Sequence, residues 1–267
     1  MSAFRAALWA EMLKARRSKV PLGTAIGFCI LPIVGALFMV IMKDPERARA
    51  MGLIGAKAQL LTSGAADWPT YFDFLSVGTG AMGALLFAFI TAWVFGREFS
   101  DHTVKELLAL PTPRWTIVAA KFALTALWVL GLTLLIFVMG VGVGTAVSMP
   151  GWSVELAWTS FRTLVVTALL NFMLMPFVAF FASVGRGYIP PLGWAVSTLG
   201  LAQVAGLMGW GSWFPWAVPG LYGLMFSVMY GQRAEPPSLH SYVVVALTFV
   251  AGVVGTVIWW RSADQSS

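Results

Sequence analysis

Arg97-Glu98-Phe99-Ser100-Asp101-His102-Thr103-Val104-Lys105-Glu106-Leu107-Leu108-Ala109-Leu110-Pro111-Thr112-Pro113-Arg114 decides how this chain is read. The segment is short, dense in charge and bounded by two uncharged runs, Phe74 to Gly96 and Phe122 to Val154. A membrane span needs about 20 apolar residues at about 1.5 Å rise each, so both runs are long enough to cross a bilayer. The charged piece between them cannot lie in hydrocarbon. It belongs in water, where another protein can touch it.

Composition points the same way. The chain is 59% hydrophobic and 10% charged, with a mean hydropathy of +0.82, whereas soluble domains are closer to about one quarter charged. The 27 glycines and 13 tryptophans suit spans that pack closely and anchor at interfaces. The expected architecture is all-α and integral to the membrane, a single transmembrane domain over 1–267. The lone Cys29 excludes an intrachain disulfide and a thiolate metal cluster.

Uncharged length predicts six spans, roughly Val20–Met42, Phe74–Phe95, Ala119–Val147, Leu164–Val184, Tyr188–Trp210 and Tyr242–Trp260. Lys121, at the start of the third, is expected to snorkel to the interface. The first apolar run begins after 19 residues and is too long for a cleaved leader. Residues 1–19 form an amphipathic helix, with Phe4, Leu8, Met12 and Ala15 at helical spacing among Arg5, Glu11, Lys14, Arg16 and Arg17. It is expected to lie along the inner membrane surface with its cations near anionic head groups.

Placing the N-terminus inside puts 11 of the 17 cations on the inner side and the whole +6 net charge with them. Both termini are therefore expected in the cytoplasm. The basic residues are scattered over short juxtamembrane pieces, which argues against nucleic acid as a partner. No charge occurs from Gly187 to Gln232, about twice one span. Pro215, Pro219, Trp210, Trp213 and Trp216 interrupt the second half, so 211–241 is expected to be an outer, re-entrant segment rather than a seventh span.

Chemistry is sparse. There is no G-x-x-x-x-G-K-[ST] phosphate cradle and no H-E-x-x-H. His102 and His240 are predicted on opposite sides, so no metal site or catalytic residue is assigned. The expected spans hold no carboxylate, which disfavours an intramembrane enzyme and a stand-alone proton- or ion-coupled carrier. A translocation path powered from outside the chain remains, with 97–114 as its receiver. Thr103 and Glu106 fit a capping box for a short helix through Leu107 and Leu108, ended by Pro111 and Pro113. The plainer alternative is an amphipathic connector lying on the membrane. Asn171 and Gln203 are the most polar residues in the fourth and fifth spans, able either to contact a substrate or to bond across helices. Gly140, Gly142 and Gly144 are expected to permit close helix approach.

The run Phe95-Gly96-Arg97-Glu98-Phe99, followed by Thr103 to Arg114 and by Ala120-Lys121, resembles the signature of ABC-2-type transporter permease subunits. His102 stands where that family commonly has glycine. The basic N-terminus, six spans, large first outer loop and Pro/Trp segment fit as well, and the resemblance is greatest to bacterial permeases of bacitracin or lantibiotic resistance. It implies an inner-membrane exporter subunit, paired with a second permease and with separate ATP-binding subunits that hold ATP and Mg. The chain itself would need no cofactor. It also implies that the first inner loop is a coupling helix. Glu98, Thr103, Lys105, Glu106, Leu107 and Leu108 would shape the docking surface, and Arg97 and Arg114 would set the loop ends. The implied substrate is a peptide antibiotic or other amphipathic compound, with another lipid-soluble substrate as the alternative within the same architecture.

Overall fold

The computed structural model describes residues 2–44, 65–109, 111–224 and 237–262. Among them the chain is helical: α1 (Ala3–Arg17), α2 (Val20–Lys43), α3 (Trp68–Ser100), α4 (Val104–Leu108), α5 (Arg114–Ala146), α6 (Val154–Val184), α7 (Ile189–Leu207), α8 (Val218–Leu224) and α9 (Leu239–Ser262). Two 3₁₀ turns, Gly211–Trp213 and Pro215–Ala217, lie between α7 and α8.

Five helices, α2, α3, α5, α6 and α9, are long and apolar enough to cross a membrane. They coincide with five of the six expected spans. The expected Tyr188–Trp210 span is α7, whose 19 residues include Pro190, Pro191, three glycines and Gln203, and it is not among the five. The helices also outrun the expected spans. α3 and α5 are 33 residues each, about 50 Å at helical rise, so both project beyond a hydrocarbon layer of about 30 Å. Two of the starts are capped by a side chain. Asp67 Oδ1 accepts from Thr70 N–H at 2.9 Å to open α3, and Ser153 Oγ accepts from Leu156 N–H at 3.1 Å to open α6.

α6 is the hub, packed against α3, α5, α7, α8 and α9. Close approach is bought with missing side chains. A Cβ on Gly252 would sit 2.7 Å from Pro176 Cβ, so α9 lies directly on α6. Gly140 and Gly144 leave room for Leu75 and Trp68, as expected of them, while Gly142 faces open space. Trp68 then anchors an aromatic cluster with Tyr71, Phe72 and Trp152. At that same end Lys43 donates to the carbonyls of Val147 and Ser148 at 2.7 and 2.9 Å, satisfying the C-terminus of α5.

Four helices end in the same way. After α3, Thr103 N–H bonds Glu98 O and His102 N–H bonds Phe99 O, with His102 at φ 57°. That is a Schellman ending with His102 at its left-handed position. The pattern repeats with Ser148 after α5, Arg186 after α6 and Gly209 after α7. The glycine common at the position of His102 in the family it resembles thus has a steric reason here.

Helix α1 corrects one expectation. Its apolar stripe does not simply face lipid. Ala15 is buried, Leu8 packs on the core, and α1 lies mainly on α5. Trp9 is 62% exposed and Met12 42%.

The charged end of the bundle as candidate coupling site

The second half of α1, the loop 101–113, the turn 185–188 and the end of α9 all meet at one end of the bundle. Gly96 approaches Gly187 closely enough that a Cβ there would lie 3.0 Å from Gly187 O. The Tyr188 ring covers the same glycine, Gly96, with its Cδ1 3.2 Å from where that Cβ would lie. Arg114 donates to the carbonyls of Trp260 and Arg261 at 3.1 and 3.0 Å, capping the C-terminus of α9. Trp260, itself buried, donates to Ser183 Oγ at 2.9 Å.

Inside this end lies a cluster of four charges from three helices. Lys121 of α5 is fully buried, 0% exposed, with Glu98 of α3 at 1% and Glu11 of α1 at 3%. Lys121 Nζ lies 2.9 Å from Glu98 Oε1, 3.2 Å from Glu11 Oε2 and 2.7 Å from the carbonyl of Val94. Lys14 closes the ring, 2.7 Å from Glu11 Oε1 and 3.0 Å from Glu98 Oε1. Two cations meet two carboxylates, so the cluster is neutral in sum. Burial alone would lower the Lys14 pKa, but Glu98 and Glu11 outweigh it and hold the ammonium above its ordinary range. Glu98 Oε2 has no partner among the described residues.

Two expectations fall here. Lys121 does not snorkel: its three N–H donors are all taken inside the protein. Glu98 is 1% exposed and lies beneath Lys14 and Lys121, at the base of the loop rather than on its surface. The capping box is not formed either. Thr103 sits at φ −95°, ψ 2°, its hydroxyl makes no cap hydrogen bond, and α4 is only five residues long. The helix end before it explains why. The Schellman turn already uses the Thr103 backbone and fixes its dihedrals away from the extended values an N-cap needs.

The remaining loop residues divide cleanly. Lys105 and Glu106 are exposed. Leu107 is half-buried and packs back on the core. The side chain of Leu108 lies outside the described residues. Arg97 stacks on Trp93, with its guanidinium carbon 4.8 Å from the ring centroid. Sequence reading missed Glu11, Lys14 and Lys121 as a group. The available signal was a pair of opposite charges across the α3–α5 hairpin, Glu98 and Lys121, with Lys121 among apolar neighbours.

Asn171 and Gln203 separate. Asn171 is buried and donates to the carbonyls of Thr79 and Gly80, both at 3.3 Å, joining α6 to α3. Gln203 is exposed and lines a cleft of about 110 Å³ between α3, α7 and α8, with Gly80, Trp216 and Leu221. Asn171 borders a neighbouring gap that shares Leu199 and Trp216 with that cleft.

The fold and its charged end define a multi-pass membrane protein with five apolar helices long enough to span and a compact polar end. The description "ABC-2 family transporter protein" matches residues 7–199, which run from α1 into α7. The chain belongs to that family. It is also 25% identical to the bacitracin transport permease protein BCRB of Bacillus licheniformis over 189 residues, covering 68% of this chain and 86% of that protein. No solved structure matches it. The protein is thus a transporter membrane subunit, similar to bacitracin permeases.

Proposed function

We propose that this chain is the permease subunit of an ATP-driven exporter in the bacterial inner membrane. ATP and Mg would be bound by a separate ATP-binding subunit, and a second permease copy, identical or homologous, would complete the path. The likeness to a bacitracin permease favours an amphipathic peptide antibiotic as substrate. In this reading α7 is the remaining span, fifth in chain order, 211–224 returns on the outer side, and both termini face the cytoplasm; residues 225–236 of the expected re-entrant segment lie outside the described residues.

The observation that carries the reading is the exposed α4 set on a buried ionic base. Lys105 and Glu106 project from the polar end, while the helices on either side of them are tied together by Glu98 and Lys121. A partner that moves α4 therefore pulls on two long helices at once, which is what coupling requires. A stand-alone carrier would instead need a titratable group along the path, and the clustered charges lie at one end of the bundle rather than beside Asn171 or Gln203.

The test is co-expression with an ATP-binding subunit encoded beside it. The purified chain alone should hydrolyse no ATP, whereas the complex should hydrolyse ATP and lower cellular sensitivity to a bacitracin-like peptide. Uptake by the isolated chain driven by a proton gradient would overturn the proposal in favour of the carrier.

A further inference from the structure

We propose that Glu11, Lys14, Glu98 and Lys121 form an ionic latch that holds α1 against the base of the 101–113 loop, so that α1 moves as part of the coupling element rather than floating independently on the membrane.

The argument starts from what α1 buries. Its inward residues are Glu11 and Ala15, with Leu8 beside them. That is a small apolar area for a 15-residue helix, and short isolated helices are marginal in water. What it adds is charge in a water-poor setting. Lys121 has no solvent exposure and no route to snorkel. A buried ammonium needs carboxylates, and one of its two comes from α1. Lys14 in turn bridges to Glu98 on α3, 84 positions away in sequence. Detaching α1 would leave Lys121 with Glu98 alone and would strip Glu98 of Lys14. The partners are thus mutually dependent, and α1 cannot leave without exposing or unpairing three buried charges.

The latch also fixes the roll of α1 about its axis. With Glu11, Lys14 and Ala15 turned inward, Trp9 and Met12 stay exposed beside Arg5 and Arg16. That face suits the inner leaflet, where an aromatic ring and cations are both accommodated. Helix α1 therefore connects the leaflet to the residue two positions before the end of α3. The latch stands whatever compound is carried. Only its service to coupling rests on the reading given above.

The test needs no ATP-binding subunit. In a Cys29→Ser background, Ala15→Cys places a thiol in the buried contact and Ala179→Cys places one in the last two turns of α6, both buried in the folded protein. Labelling by a membrane-impermeant maleimide is followed in inside-out vesicles. Lys121→Met should raise the labelling rate of the Ala15→Cys thiol about tenfold or more, because it leaves two buried carboxylates facing one lysine. Glu98→Gln, which keeps the shape, should raise it as well. The double variant Glu98→Gln/Lys121→Met removes one charge of each sign and should return labelling to within about twofold of the parent. The thiol at 179 should stay unlabelled throughout. The exposed control Lys105→Met should leave labelling at position 15 unchanged. Unchanged labelling at position 15 in both single variants would overturn the latch. So would additive effects in the double variant, or equal labelling at 179, which would report general loosening rather than release of α1.

Discussion

Lys121 and Glu98 stand 23 residues apart in sequence and 2.9 Å apart in space, and each is sealed from solvent. They close the hairpin of α3 and α5 directly beneath the loop that faces water. A pair in that position contributes through what its loss would leave behind. Removing one partner strands a buried charge, which costs about 3–5 kcal/mol, while removing both can be close to neutral. Lys121→Ala should therefore lower the thermal midpoint in detergent more than any substitution of Lys105. Fluorescence-detected size exclusion after heating measures it, and equal midpoints for the two variants would contradict the assignment.

His102 gives a prediction of opposite sign. It occupies the left-handed position of the helix ending at φ 57°, which costs a non-glycine residue about 1 kcal/mol or more. His102→Gly should stabilise the loop by roughly that amount, offset in part by added chain entropy. Slower proteolysis within 101–113 is the expected outcome. Faster cleavage there would show that the ring of His102 makes a contact worth more than the backbone relief.

The docking surface can be separated from its scaffold. Thr103 makes no side-chain cap bond, so Thr103→Ala should leave recovery of the ATP-binding subunit unchanged, short of the roughly 1 kcal/mol a true cap would cost. Lys105→Glu with Glu106→Lys reverses two exposed charges and should reduce recovery several-fold, since rim charges act mainly on association. Co-purification at matched expression decides between them. Loss on Thr103→Ala alone would restore the capping box.

Asn171 should behave as a joint between helices. Its amide reaches the carbonyls of Thr79 and Gly80. Asn171→Leu should cost about 0.6–2 kcal/mol of stability and leave the rank order of exported compounds unaltered. Gln203→Leu should instead change transport with little change in thermal midpoint, because Gln203 is exposed and borders the cleft. An altered rank order with Asn171→Leu would move Asn171 to the path.

Topology is checked by reporter fusions. Lys105 and Arg186 lie at one end of the bundle and should report the same side of the membrane, the cytoplasm. Trp152, packed on Trp68 at the other end, should report the opposite side. Agreement between Lys105 and Trp152 would refute the arrangement.

The spans of α2, α3, α5, α6 and α9 were readable because uncharged length is a one-dimensional property. The position of the polar loop followed from it. Burial of Lys121 was not readable in the same way. Glu11 lies 110 positions from it in sequence, and a lysine one or two turns into an apolar helix reads as a snorkelling anchor unless its partners are known. The capping box failed for a different reason. Thr103-x-x-Glu106 is a local pattern, but the backbone of Thr103 was already committed to ending α3. Two local rules competed for one residue, and the helix end took it. At Asn171 both roles were open from the residue type alone, and only the identity of the carbonyls it meets separates them.

Helix α3 runs from Trp68 to Ser100 with proline only at its first turn, unlike α2 and α6, which carry Pro32 and Pro176 in their interiors. It therefore lacks the interior proline that kinks helices and extends about 50 Å at helical rise. A tilt of about 5° about one end displaces the other sideways by about 4 Å over that length, about half the spacing of packed helices. The aromatic cluster around Trp68 and the charges around Glu98 sit at the two ends of one continuous helix, so a tilt of α3 about its polar end would be read out at the aromatic end.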